Sequence, residues 1–442
     1  MEPSKIKDVG EAIRRVRKSR GLRLEDLADE GISPATISNI ERGIAHVNSS
    51  KVYYLVQKLG LNMSEIPSIL MEQEEELKDL KLTLDSIEAI ISMGKYDEAM
   101  TKLEEIKIED HHPYSAILHY IKGKCYAGMK KWNRAERSFS MAISLANQNR
   151  DQENIEAASF AELGLCCYRQ NEIEKALEFT ESGLDAFQES GGRGYVKYVL
   201  LRNKAVYLER LGRVNEGLRV IQEAWDQIDQ IDESATVLNL YSARAELLRM
   251  AGQNEEAIKY AQEGLELSRR NKNYQCMFDM WTIMGSVYTS EVQWEKAERC
   301  FYTALASQGL LESEKALTDT YVWLGILYTE QKKWAKAKTY LEKAVTNAEA
   351  HNDAPKLTYA LRIMGDYFKQ QGKKDEAIPY YQKALKLARS YGYKKNQSQI
   401  LFRLSQCYQE TDRQEFEKCL LNMYEVQLET KNREADIFEE AE

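Results

Sequence analysis

The feature that most constrains this chain is a recurrence of small residues. Alanine or glycine stands at positions 99, 135, 176, 217, 257, 297, 337 and 377, at intervals of 36, 41, 41, 40, 40, 40 and 40. Around four of them a fuller pattern repeats. It reads Gly123, Tyr126, Ala135, Phe139, Ala142; then Gly285, Tyr288, Ala297, Phe301, Ala304; then Gly325, Tyr328, Ala337, Leu341, Ala344; then Gly365, Phe368, Ala377, Tyr381, Ala384. Small residues at these spacings let two helices approach closely while the larger ones fill the space between pairs. No single pair can bury its own apolar face, so the pairs must stack.

A chain of 442 residues is too long for one ordinary core, and a stack solves this by growing along one axis. Only six prolines and 23 glycines, with 43% hydrophobic and 30% charged residues, fit an all-α protein. Gly94, Lys130, Gly212, Gly252 and Gly372 mark tight turns inside the pairs. Eight pairs are readable, and Leu401, Leu404, Tyr408, Phe416 and Leu420 outline a degenerate ninth at 399–426. Residues 427–442 read as a polar, acidic, frayed tail.

The first 66 residues are of another kind. Ile6, Val9, Ile13 and Val16 recur at helical spacing until Gly21. Residues 24–28 predict a second helix, closed near Gly31. Next comes a short helix with Ser33 as cap, Pro34 at its first position and Gly43 as its left-handed stop. Ile37 and Ile40 face inward. Residues 47–59 carry Val52, Leu55, Val56 and Leu59 on one face, and residues 60–66 predict a last short helix. Pro67 is expected to end the head, with a charged linker helix at 67–80. Residues 1–63 hold eleven Lys/Arg and eight Asp/Glu, a net +3 that leaves −12 on the remainder. A polyanion is therefore expected to meet the head.

No phosphate-cradling Gly-rich loop, dinucleotide fingerprint or nucleophile elbow appears, so the chain is not expected to be an enzyme or to need a cofactor. Seven cysteines without a Cys-x-x-Cys pair suit buried thiols better than disulfides or zinc. His111, His112 and His119 read as an inter-repeat loop, not a metal site. There is no run of apolar residues long enough to span a membrane and no secretory apolar region at the start, which places the chain in the cytoplasm.

Ile13-Arg14-Arg15-Val16-Arg17-Lys18-Ser19-Arg20-Gly21-Leu22, Leu27-Ala28, Ile32-Ser33, Thr36-Ile37-Ser38-Asn39-Ile40-Glu41-Arg42-Gly43 and Leu59-Gly60-Leu61 together resemble the Cro/C1-type helix-turn-helix family. The resemblance implies a five-helix domain at 1–66 that binds double-stranded DNA through a recognition helix at 33–42, with residues 24–28 crossing behind it. It also implies an internal Arg17–Glu41 ion pair. Where the family often has Ser-Gln at the start of its second helix this chain has Arg23-Leu24, so Arg23 is expected to take the phosphate. Pro34 and Ala35 replace long polar residues; Ala35 can only pack on a thymine methyl. Base reading then falls to Thr36, Ser38 and Asn39, while Ser33, Arg42, Asn48, Ser49 and Lys51 lie where the family holds the backbone. One such head binds weakly, which implies a homo-oligomer, a dimer or a tetramer.

The repeats at 81–426 resemble the tetratricopeptide repeat, stretched from its usual period of about 34. That implies a right-handed solenoid whose first helices line a concave groove. In that register the groove is apolar at Ile117, Tyr120, Ala127, Ala158, Ala161 and Leu165. It turns polar at Arg202, Asn203, Glu209, Asn239, Ser242, Glu246, Arg249, Asp279, Thr282, Asp319, Tyr359, Arg362 and Asp366. Amides and mixed charges suit an extended peptide.

The two-part chain resembles the RRNPP family of peptide-pheromone receptors, in particular its NprR-like members. This implies a quorum-sensing transcription regulator whose groove takes a short signalling peptide. Two alternatives stand beside it. One is a Rap-like phosphatase that binds a response regulator, alone or combined with transcription, and the other is a peptide-independent scaffold with constitutive DNA binding.

Overall fold

The computed structural model describes residues 3–44, 48–62, 66–110, 112–149, 153–231, 233–311 and 313–439. Those residues form helices and turns with no strand. The chain divides into two compact units, Met1–Ile106 and Lys107–Glu442.

The first unit contains α1 (Pro3–Ser19), a single 3-10 turn (Glu25–Leu27), α2 (Pro34–Glu41), α3 (Ser49–Lys58), α4 (Ile66–Ser92) and α5 (Tyr96–Glu105). Its core joins Val9, Ala12, Ile13, Leu27, Ile32, Ile37, Ile40, Val52, Leu55, Val56, Leu59 and Ile66. Gly10 allows α1 to lie against the end of α2, because a Cβ there would stand 2.1 Å from the Ile40 carbonyl oxygen.

Several expectations for this unit change. The second helix shrinks to one 3-10 turn, because Asp26 accepts from the Arg23 N–H and Asp29 draws the chain into a turn by accepting from the amides of Gly31 and Ile32. Pro67 does not end anything: it sits in the first turn of α4, where a helix leaves its N–H groups unbonded anyway. That helix runs unbroken to Ser92, through the expected linker and into the first repeat. The contact division accordingly falls after α5, and the first expected pair belongs with the head. The short fifth helix predicted from Gly60 is not helical at 60–62, and its residues 63–65, the start of the fourth predicted helix at Val47 and the side chain of Ile6 lie outside the described residues.

The second unit is a stack of helix pairs: α6 (Ser115–Gly128) with α7 (Trp132–Asn149), α8 (Ile155–Arg169) with α9 (Ile173–Ala186), and α10 (Tyr195–Leu211) with α11 (Val214–Trp225). Then follow α12 (Ser234–Met250) with α13 (Asn254–Arg270), α14 (Tyr274–Ser290) with α15 (Trp294–Ala306), and α16 (Leu317–Glu330) with α17 (Trp334–Ala350). The stack ends with α18 (Ala354–Gln370) and α19 (Lys374–Ser390), then α20 (Lys394–Tyr408) and α21 (Arg413–Glu439). The last helix continues to Glu439, so residues 427–439 of the tail that was expected to fray are helical.

The small residues act as the period demands. Ala135, Ala297, Ala337 and Ala377 are all fully buried. A Cβ on Gly123, Gly285, Gly325 or Gly365 would come within 2.6 Å of Phe139, Phe301, Leu341 or Tyr381, each sixteen residues on. In other pairs the small position is Ala205 or Ala245 and its partner is the smaller Ile221 or Ala261. The turns inside the pairs share a left-handed residue at 94, 130, 171, 212, 252, 292, 332 and 372. Glycine fills that place at 94, 212, 252 and 372; Lys130, Asn171, Val292 and Lys332 fill it elsewhere.

The first helices α6, α8, α10, α12, α14, α16, α18 and α20 touch one another in succession, while each second helix from α7 to α19 lies between two first helices. The first helices therefore make the inner layer, as expected from the register.

Candidate functional site

Two surfaces come out of this fold, one in each unit. In the first, α2 is held rigidly from behind. Ser33 accepts from the Thr36 N–H at 3.2 Å, and Ile37 and Ile40 are fully buried. The Arg17 guanidinium donates to both Glu41 oxygens at 2.6 and 2.9 Å and to the Leu22 carbonyl at 2.7 Å. Hydrogen bonding to Glu41 raises the Arg17 pKa against the opposing effect of burial. A planar, bidentate, nearly buried pair of this kind fixes the end of α2 on α1.

The outer face of α2 presents Ala35, Thr36, Ser38, Asn39 and Arg42, with Ser33 exposed at its start. Two of these groups are already engaged. The Thr36 hydroxyl shares a 2.8 Å hydrogen bond with the Ser33 hydroxyl, and Asn39 Oδ1 accepts from Arg42 Nη2 at 2.8 Å. Asn48 caps α3 by accepting from the Ser50 N–H at 3.0 Å, with Ser49 half-buried beside it. Arg23 is exposed. Lys51, expected at a phosphate, donates instead to the Gly31 carbonyl. Asp29 is a carboxylate on the same exposed side, held well below the usual carboxylate range by Lys58 and then by Tyr54.

In the second unit the inner layer carries a row of half-exposed ionic groups that desolvation strongly affects. Arg249 pairs with Glu246 at 2.6 Å and stacks 5.0 Å from the Trp323 ring on α16. Arg362 lies over the Tyr359 ring at 4.9 Å and 3.5 Å from Asp366. Arg403 and the Tyr381 hydroxyl both donate to Asp366, at 2.6 and 2.7 Å. Lys356 reaches Asp319 at 2.7 Å. Burial raises the Glu209 pKa, with Glu246 and Asp319 adding to the rise and Arg210 and Arg249 opposing it. Burial pushes the Asp279 carboxyl up to about 7, opposed by Lys356, reinforced by Asp319, and opposed again by the Gln275 amide and Arg202. These couplings run between α10, α12, α14, α16 and α18, so residues as far apart in sequence as Arg202 and Lys356 share one lumen.

The sequence-predicted residues divide accordingly. Arg202, Glu209, Glu246, Arg249, Asp279, Tyr359 and Arg362 fall in this ionic row. Asn239 is exposed and Ser242 half-buried on α12. Asn203 and Thr282 are 4% and 7% exposed. Asn203 accepts from Arg202 at 2.9 Å, and the Thr282 hydroxyl is bonded to Thr320 at 2.8 Å, so both pack between helices. The register missed Arg210, Lys356 and Trp323. Lys356 lies nine residues before Gly365, ahead of the four groove positions; a cation in the first turn of a helix, where the dipole disfavours it, was the available signal.

The cysteines are free, and six of the seven are buried, with Cys167 half-buried. Burial pushes the thiols of Cys166 and Cys167 up to about 12 and about 11, which leaves them poor nucleophiles. Among the described residues no group of His, Cys, Asp and Glu is placed to hold a metal ion, and no helix is long and apolar enough to cross a membrane. His111 lies outside the described residues; His119 is half-buried on α6.

The helix-turn-helix family matches residues 13–66 and the tetratricopeptide-repeat family residues 316–390. No protein of curated function matches the chain. Among solved structures, a Rap protein complexed with competence and sporulation factor aligns with a TM-score of 0.59 at 14% identity, over 80% of this chain and 99% of that one. The apo form of the quorum sensor NprR from B. thuringiensis aligns with a TM-score of 0.53 at 14% identity, over 84% of this chain and 99% of that one. At that identity the likeness is one of fold. The chain thus joins a helix-turn-helix domain to a stack of tetratricopeptide-type repeats.

Proposed function

We propose that this chain is a cytoplasmic, DNA-binding transcription regulator of the RRNPP type whose repeat groove binds a short signalling peptide. The observation that carries the reading is the ionic row on the inner layer. Arg202, Glu209, Glu246, Arg249, Asp279, Tyr359 and Arg362 place charges of both signs and aromatic faces along one concave surface, some paired along their own helix, as Arg249 with Glu246, and others linked across helices, as Asp366 with Arg403. An extended peptide offers complementary groups at matching intervals, its amides to Asn239 and Ser242 and its charges to the arginines and carboxylates. The similarity to a quorum sensor and to a Rap protein solved with a signalling factor supports the same reading.

At the head, Asn39 and Arg42 must exchange their mutual hydrogen bond for base and phosphate, and Ala35 contributes only apolar contact. Few groups are left for direct readout. Specificity then rests on pairing two heads over half-sites and on DNA shape, and the peptide acts by changing that pairing.

The test of the DNA half is selection of duplexes from a random pool by the full chain, followed by binding at several salt concentrations. Asn39→Ala is expected to relax base preference at one position, and Arg42→Ala to weaken all sequences and flatten the salt slope. Selection of no consensus, with identical salt slopes in both variants, would remove α2 from the interface.

A further inference from the structure

The repeat stack does not leave its groove open along the side. Turns inside pairs lie on one rim of the solenoid and turns between pairs on the other, and in this chain the two rims meet. Asn171, in the turn joining α8 to α9, donates from Nδ2 to the Asn352 carbonyl at 3.0 Å and accepts at Oδ1 from the Ala354 N–H at 3.1 Å. Those partners lie in the turn after α17 and at the first residue of α18, 181 and 183 residues away. The Tyr393 hydroxyl, in the next such turn, donates to the Asn171 carbonyl at 3.3 Å.

One repeat further, the same seam continues. Lys395 donates to the Gly212 carbonyl at 3.0 Å, and a Cβ on Gly212 would lie 2.3 Å from the Lys395 side chain. Lys315 lies 5.4 Å from the Tyr168 ring and 3.1 Å from Asp353. Ile173, Ala176, Leu177, Tyr207 and Leu208 belong to the same apolar cluster as residues of α16 to α21.

Asn171 is singular among its equivalents. The residues at the same place in other turns, Lys130, Gly252, Val292, Lys332 and Gly372, are not buried, whereas Asn171 is 3% exposed. Its backbone is left-handed, at φ 67°, a conformation that asparagine tolerates better than most residues. Its two amide atoms satisfy the carbonyl of the exposed Asn352 and the buried Ala354 N–H on the opposite rim.

We propose that the Asn171 seam is the gate of the peptide groove: closed, it turns the groove into a sealed tube, and its opening admits a chain to the lumen from the side. The consequence for the ligand is specific. A sealed tube takes only what can thread from its ends, while an opened one accepts an extended peptide laid in along its length. Opening breaks the hydrogen bonds of Asn171, Tyr393 and Lys395 and parts the apolar cluster that Ile173, Tyr207 and Leu208 share with α16 to α21, while each helix pair keeps its own packing, so it costs less than unfolding the stack. The gate rests on the reading that the lumen is the ligand site, but its opening is measurable without a ligand.

The experiment places one cysteine in the lumen of the full chain, Ser242→Cys in a Cys167→Ser background, and follows its alkylation by iodoacetamide and by a maleimide carrying a long polyethylene glycol. The remaining native thiols are buried and serve as the blank. Asn171→Gly removes the side-chain amide while keeping a residue at ease in the left-handed region. It is expected to speed labelling by the bulky reagent about tenfold, the effect of losing two net hydrogen bonds, while iodoacetamide changes less. Asn273→Gly, which removes a helix cap remote from the seam, is expected to leave both rates unchanged. Equal bulky-reagent rates in Asn171→Gly and its parent would overturn the gate, and so would an equal acceleration by Asn273→Gly. Accelerated labelling of Asn171→Gly in a protein that binds no peptide would retain the gate and refute the groove assignment instead.

Discussion

Replacing Gly285 with alanine tests the packing rule on which the whole stack is built. A Cβ at 285 would stand 2.6, 2.7 and 2.9 Å from three carbons of the Phe301 ring, where ordinary contact begins near 3.4 Å. The ring has nowhere to go, because Phe301 is fully buried. Relieving the overlap requires nearly an ångström of separation between α14 and α15, so the cost lies at the upper end for overpacking, about 3 kcal/mol. Alanine returns about 1 kcal/mol through its better helix propensity. The net loss of about 2 kcal/mol corresponds to about thirtyfold faster local opening. Hydrogen exchange of the amides in α14 and α15 reads this directly and does not require the stack to unfold in one step. Phe301→Ile is expected to rescue the alanine, because Ala205 and Ile221 already coexist at the equivalent places. The double-mutant cycle should then show a coupling of about 1–2 kcal/mol. Protection in Gly285→Ala equal to that of the parent, or a cycle that adds without coupling, would refute the reasoning.

Three further outcomes follow from the same structure. Val292 holds a left-handed backbone, φ 62°, at a place where other turns use glycine, so Val292→Gly should raise thermal stability by about 1 kcal/mol even though the side chain is exposed; a lower melting temperature would contradict this. Glu41→Gln strands the nearly buried Arg17 charge and should cost the head about 3 kcal/mol, seen as melting of the first unit while the repeats keep their transition; an unchanged head would make the pair dispensable. Asp279 carries a pKa pushed up to about 7 by burial, so the native state holds a proton there that the unfolded chain releases near pH 4. Stability from this group therefore falls as pH rises from about 4 to 7, and the charge destabilises fully above that. Asp279→Asn should melt higher than the parent at pH 8 and together with it near pH 4; identical curves at both would show that the carboxyl is not desolvated.

The repeat was legible because it depends on side-chain volume alone. A glycine and a ring sixteen residues apart compensate in three copies, and a glycine and a leucine in a fourth, and the period follows from helix length. The head's capped helix was legible for a similar reason: Ser33, Pro34 and Gly43 act within one turn of chain. Pro67 misled because proline stops a helix only from inside it, and at the first turn it is a helix starter. Residues 24–28 were misread because Asp26 and Asp29 bond to neighbouring amides and compete with the second helical turn. The groove register found the ionic row where it repeats with the period, at Arg249 or Arg362. It failed where contacts cross between elements: Thr282 is turned onto Thr320, and Lys356 sits ahead of the register. The Asn171 seam joins residues 181 apart through superhelical curvature, which no local pattern encodes.

The central claim, that one groove and one recognition helix form a single peptide-responsive regulator, is tested most directly by native mass spectrometry. The full chain would be expressed alone and together with short peptides encoded beside its gene, and bound mass and oligomeric state recorded in both samples. One peptide-sized mass increment per chain, lost in Arg202→Ala, is expected together with a change in the number of chains per particle. No increment with any peptide, and one unchanged oligomeric state throughout, would contradict it.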